Sequence, residues 1–111
     1  MTTVPTFVGN IYLGLKDLSN DTEFSLQHVE KVVQGFVTRV GACFTLTPTR
    51  FIYSNGNENG VIIGFINYPR FPKDFYEIKN QALDLVYLLK KEFKQQRISV
   101  VFPDETIMIG Q

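Results

Sequence analysis

The sequence has few of the residue types from which recognisable active sites are built. Its 111 residues include one cysteine, Cys43, and one histidine, His28. A single thiol excludes an intramolecular disulfide and a cysteine-based metal cluster. Cys43 stands in the apolar run Gly41-Ala-Cys-Phe-Thr-Leu46 and reads as a small buried hydrophobe. A nucleophilic thiol would need a base beside it, and no motif joins Cys43 to His28. His28 falls outside the apolar stripe of its helix and reads as a boundary residue, since one histidine does not make a metal site. Glycine-rich phosphate loops, GxSxG elbows and HExxH pairs are all missing. So is an excess of charge: eleven basic residues balance eleven acidic ones, and nothing in that balance calls for a polyanion or an anionic membrane. The N-terminus carries no basic region followed by an apolar run, and no stretch approaches the ~18 apolar residues of a membrane span. The expectation is a cytoplasmic protein with no membrane association, no metal and no cofactor.

What is present is an ordinary globular composition, 44% hydrophobic and 20% charged, far from the low hydrophobicity of disordered chains. A chain of this length reads as one domain over residues 1–111, with 1–5 as a loose tail. The strongest strand signal is Asn59-Gly-Val-Ile-Ile-Gly-Phe-Ile-Asn-Tyr-Pro69. From Val61 to Ile66 every position but Gly64 is apolar, so both faces of this strand want cover and it belongs in the middle of a sheet.

The other elements follow from periodicity. Phe7 to Lys16 alternates with period two, Phe7, Gly9, Ile11, Leu13 and Leu15 on one face and Tyr12 on the other. Asp17 to Glu23 reads as a polar loop. Ser25 is an N-cap for a helix whose stripe is Leu26, Val29, Val32, Val33, Phe36, Val37 and Val40, closed by Gly41. Cys43–Leu46 and Thr49–Tyr53 form a second strand interrupted at Pro48; proline cannot donate to a ladder, so this is an edge strand or contains a bulge. Ser54 to Gly60 is hairpin chemistry. Pro72 suits the first turn of a second helix with Phe75, Ile78, Ala82, Leu85, Leu89 and Phe93 inward. Ile98–Phe102 is a strand, and Thr106–Ile109 resumes it or adds another.

The order β-α-β-β-α-β is that of an α+β, ferredoxin-like domain: a four-stranded antiparallel sheet, order 4-1-3-2, with two helices on one face. By this pattern the chain resembles small uncharacterised single-domain proteins of bacteria and their phages, which begin with a strand like Ile11-Tyr-Leu-Gly-Leu15 and end with a long helix and a strand like Arg97-Ile-Ser-Val-Val-Phe102. The resemblance implies the ferredoxin-like fold and transfers no catalytic residues.

The residues themselves name no activity. A greasy sheet face without helices does not stay in water, and the reading favoured is a non-enzymatic domain that self-associates, as a dimer first, or binds a protein partner there. The interface residues expected are Tyr12, Ile63, Phe65 and Asn67, although the alternate residues of that strand are equally apolar. Single-stranded nucleic acid is the second reading, because Ile11–Leu15 and Gly64–Tyr68 resemble the two motifs of an RNA recognition motif; Val61-Ile-Ile63, where a basic residue, a glycine and an aromatic belong, and the neutral charge both weigh against it. The third is a ligand-binding or enzymatic domain with an intersubunit pocket, near the acidic loop or the 69–72 turn. Its ionisable candidates, Asp17, Asp21, Glu23, His28, Arg50, Glu58, Arg70, Asp104 and Glu105, are scattered along the chain, and none is assigned a catalytic role; the balance leans away from an enzyme.

Overall fold

The computed structural model describes residues 1–110. The chain begins with β1 (Val8–Gly14), then a ribbon of two short strands, β2 (Lys16–Asp17) and β3 (Thr22–Glu23). Helix α1 (Leu26–Val40) follows, then the hairpin β4 (Thr45–Tyr53) and β5 (Gly56–Ile66), helix α2 (Phe75–Glu92), and the strands β6 (Arg97–Val101) and β7 (Thr106–Gly110). The main sheet has five antiparallel strands in the order β4-β5-β1-β6-β7, and β2 pairs only with β3.

The α+β class and the central β1–β5 pairing agree with the sequence reading, whereas the four-stranded sheet is corrected. The four expected strands are joined by a fifth, β7, because Ser-Val-Val-Phe and Ile-Met-Ile flank a turn at 103–105 that lets Phe102 N–H donate to Glu105 O. The expected loop at 17–23 is likewise a ribbon. Pro48 does lie in an edge strand, but it does not interrupt it: β4 runs through, with Pro48 opposite Val61.

Both helices start and stop where local chemistry dictates. The Ser25 hydroxyl accepts from His28 N–H, and Gly41 ends α1 in the left-handed region at φ 72°. Asp74 caps α2, its carboxylate accepting from Glu77 N–H, so Pro72 precedes the helix rather than standing in its first turn. Helix α1 contributes Val29, Val33 and Phe36 to the core, and α2 contributes Ile78, Ala82, Leu85, Val86 and Leu89. They meet one face of the sheet, formed by Ile11, Leu13, Val61, Ile63, Phe65, Ile98 and Val100. Each large side chain fully removed from water there contributes roughly 1.5–3 kcal/mol, which offsets the poor intrinsic propensity of a valine-rich helix. Among the described residues, no helix is long and apolar enough to cross a membrane.

Candidate functional site

Antiparallel partners share a face, so the register decides which side chains leave the core. Ile11 pairs with Ile63, and both are fully buried. Tyr12 pairs with Ile62 on one side and Ser99 on the other, on the face away from the helices. Tyr12 therefore lies on the open face as expected. Ile63 and Phe65 do not: they point under the helices, at 0% and 4% exposure. Phe65 sits among the rings of Phe7, Phe44 and Phe102, with centroids 5.8–6.4 Å away. The open face carries Ile62, Gly64 and Ile66 instead. A strand apolar on both sides gave no parity signal, and only the pairing with β1 resolves it.

Asn67 is also corrected. It is buried and works as a staple: its Nδ2 donates to Pro5 O at 2.9 Å, its Oδ1 accepts from Lys73 N–H at 3.0 Å, and its own backbone N–H donates to Phe7 O. The fully partnered amide explains how a polar side chain is accommodated there. Cys43 is exposed rather than buried, because Phe44 takes the inward position in that loop. Tyr68 beside it is held neutral: burial first, then a hydrogen bond with Cys43, push its phenol up to about 12.

The open face is apolar at its rim. Val8, Ile66 and Met108 are about half exposed. The face is pared down at the end of the β1–β5 ladder, where Gly14 of β1 faces Gly60 of β5. The Phe51 ring lies over Gly60, and the Glu58 carboxylate and the Gln95 side-chain oxygen lie 2.8 Å and 3.3 Å from where a Cβ on Gly14 would stand.

Beyond this glycine pair the β4–β5 hairpin runs on past the end of β1. The ribbon β2–β3 approaches this overhang, and a cleft of about 280 Å³ opens between them, lined by Lys16, Asp21, Thr22, Glu23, Arg50, Asn57, Glu58 and Asn59. The ribbon is well anchored. Phe24 N–H donates to Leu15 O, Leu15 N–H donates to Asn59 O, and Gln95 Nε2 donates to Lys16 O. The Phe24 ring meets Phe93 edge-on at 5.2 Å. Asp17, 4% exposed, accepts from both the hydroxyl and the N–H of Ser19, with Lys94 Nζ 3.8 Å away. The Ser19 hydroxyl is the first cause of a carboxyl held below the usual aspartate range, with Lys94 adding to it.

Arg50 dominates the far wall. Its Nη1 donates to Asn59 Oδ1 at 2.9 Å and its Nη2 to Asn57 Oδ1. Among the described residues no carboxylate lies within ion-pair distance of it. The fold thus gathers Asp21, Glu23, Arg50 and Glu58 from the scattered ionisable residues, beside the acidic loop. It leaves out His28, which packs on Phe24 and Phe93, and Asp104 and Glu105, which pair with Lys79. Asn57, Asn59 and Thr22 give no functional signal in the sequence. The i, i+2 spacing of the two asparagines acquires meaning only once Arg50 is known to lie opposite Asn59.

No protein-family model and no curated protein matches this sequence. Solved structures do match. A phage SAM lyase in complex with S-methyl-5'-thioadenosine superposes with a TM-score of 0.84 at 18% identity, over 100% of this chain and 94% of that one. A phage SAM lyase in the apo state superposes with a TM-score of 0.81 at 19% identity, over 95% of this chain and 89% of that one. This chain shares its fold with a phage SAM lyase. The favoured expectation of a non-enzymatic association module is thereby corrected: over its whole length the chain shares the fold of a phage SAM lyase. Short apolar strands and dispersed polar residues could not signal this likeness, because neither spacing nor composition distinguishes one use of such a sheet from another.

Proposed function

We propose that this protein is a lyase of S-adenosyl-L-methionine, splitting its substrate at the sulfonium without water and releasing S-methyl-5'-thioadenosine. The observation that carries the proposal is the end-to-end likeness to a phage SAM lyase bound to that thioether.

The local chemistry is compatible with such a reaction. When the carbon–sulfur bond breaks, its electron pair stays on sulfur and the sulfonium becomes a neutral thioether. The four-carbon fragment then completes its valence internally, by losing a proton from the neighbouring carbon or by bonding to its own carboxylate. Positive charge disappears from sulfur in the transition state, so apolar surroundings favour the reaction and water opposes it. Tyr12, Phe51 and Ile62 offer such surroundings on the open face. Glu58 stands at the junction of that face and the polar cleft; we assign it as the general base, its carboxylate accepting the proton lost from the neighbouring carbon. In a single chain this region is open to solvent; a second copy laid against Val8, Ile66 and Met108 would close it, so the working form is a homo-oligomer with the site between subunits.

The test is incubation of the protein with S-adenosyl-L-methionine and mass analysis of the products. The expected result is S-methyl-5'-thioadenosine together with a four-carbon product that first appears one water lighter than homoserine. Thioadenosine release no faster than in buffer overturns the proposal, and direct appearance of homoserine shows a hydrolase instead.

A further inference from the structure

The cleft between the β2–β3 ribbon and the β4–β5 overhang has a charge arrangement of its own. A guanidinium has five N–H donors and accepts nothing. Arg50 uses one donor on each of two asparagine side chains, and since it only donates, both amides must turn their oxygens toward it. This fixes the plane of the fork while leaving its charge uncompensated, with three N–H groups unused. A planar, charged fork of this kind matches a carboxylate, which it holds through two parallel hydrogen bonds. The ribbon supplies Asp21 and Glu23 to the same cleft, and the neighbouring strand supplies Glu58. A ligand that was only an anion would be repelled by these three carboxylates, and one that was only a cation would meet Arg50 and Lys16. A zwitterion satisfies both. The size agrees: at about 280 Å³ the cleft is smaller than the ~300–1,000 Å³ of sites that enclose a whole ligand, so it suits one end of a molecule whose remainder lies elsewhere.

The geometry points to a receptor for a free α-amino acid group, with Arg50 taking the α-carboxylate and the Asp21/Glu23 ribbon taking the α-ammonium. This rests on the proposed lyase reading, which it deepens by assigning the amino-acid end of the substrate to this cleft. The nucleoside end lies outside it, toward the open sheet face. Arg50 is then a specificity residue: it separates the substrate from ligands that keep the adenosine and sulfur but lack the amino acid.

The experiment is a calorimetric comparison of three ligands at low ionic strength, where screening is weakest: S-adenosyl-L-methionine, its decarboxylated analogue, and S-methyl-5'-thioadenosine. Each is titrated into the wild-type chain, into Arg50→Gln, and into the double variant Asp21→Asn, Glu23→Gln. All these positions are exposed, so circular dichroism should show the fold unchanged. Arg50→Gln is expected to weaken S-adenosyl-L-methionine by about 10- to 100-fold, the effect of a charge-assisted hydrogen-bond pair, and to leave the other two ligands within about twofold. The double variant is expected to weaken the two ligands that carry the ammonium and spare the thioether. If the wild type binds all three ligands and Arg50→Gln weakens them equally or not at all, the assignment of the cleft is overturned while the lyase reading stands. If the wild type binds none of them, the lyase reading falls and the assignment falls with it.

Discussion

Gly14 and Gly60 face each other across the β1–β5 ladder, and the space their missing side chains leave is occupied by Phe51 on one side and Glu58 on the other. A methyl group at Gly60 would meet both the Phe51 ring and the Leu13 carbonyl oxygen, the latter at 2.7 Å. The ring can swing away, but the carbonyl belongs to the central strand. Gly60→Ala should therefore destabilise the protein by about 1–3 kcal/mol, in the range of overpacked sites. Adding Phe51→Ala should recover only part of that loss. Urea denaturation of the single and double variants measures both quantities.

Turnover should depend on Glu58. Glu58→Gln keeps the shape of the side chain and removes its basicity. The release of S-methyl-5'-thioadenosine should slow by about 100-fold or more, the usual contribution of a positioned base, while binding of that product stays nearly unchanged. Equal losses in rate and product affinity would make Glu58 a binding residue instead.

The two faces of β5 should respond oppositely to substitution. Phe65→Ala opens a cavity among three rings and should cost about 3–5 kcal/mol, whatever the state of assembly. Ile66→Asp changes a side chain on the open face and should leave the circular dichroism intact while lowering the native mass measured by light scattering. An unchanged mass for Ile66→Asp would show that subunits do not meet on this face.

Asp17 should set part of the acid limit of stability. Its folded pKa lies below the ordinary value, with the Ser19 hydroxyl as the first cause. The stabilisation is therefore fully present above the unfolded aspartate pKa of about 3.9 and is lost as pH falls through the lower folded value. The stability difference between wild type and Asp17→Asn should be flat above about pH 5 and shrink below about pH 3.9.

Tyr68 gives the alkaline counterpart. Its folded pKa of about 12 lies above the unfolded value of about 10, so its contribution is complete below the unfolded value and is lost as pH rises through the folded one. Ultraviolet titration should show a late phenolate step that Tyr68→Phe removes. Cys43→Ala should lower that step only part of the way, since burial outranks the thiol as its cause.

Much of the fold was legible because its signals are local. Ser25 and Gly41 bracket α1 in the sequence as they do in space, and the six main elements fall where periodicity puts them. What was not legible depends on long-range pairing. Val61–Ile66 is apolar at both parities, so the sequence could not place Phe65 beneath the helices rather than on the open face. The ribbon at 16–23 exists through contacts with Asn59, Phe93 and Gln95, which no window of seven residues contains. The cleft was missed for the same reason: Asp21, Glu23, Arg50 and Glu58 looked dispersed until β4, β5 and the ribbon brought them together.

The position of β1 between β5 and β6 has a consequence for biosynthesis. The first strand made is the one that needs both a neighbour from the middle of the chain and a neighbour from its end, since Tyr12 pairs with Ser99 as well as Ile62. On the ribosome, β1 and the β4–β5 hairpin are made well before β6, so one edge of β1 stays unpaired until Arg97–Val101 emerges. The ladder of this central strand is thus completed only after both helices have been made, and a nascent chain stalled before residue 97 would present the β6-facing edge of β1 to chaperones unpaired.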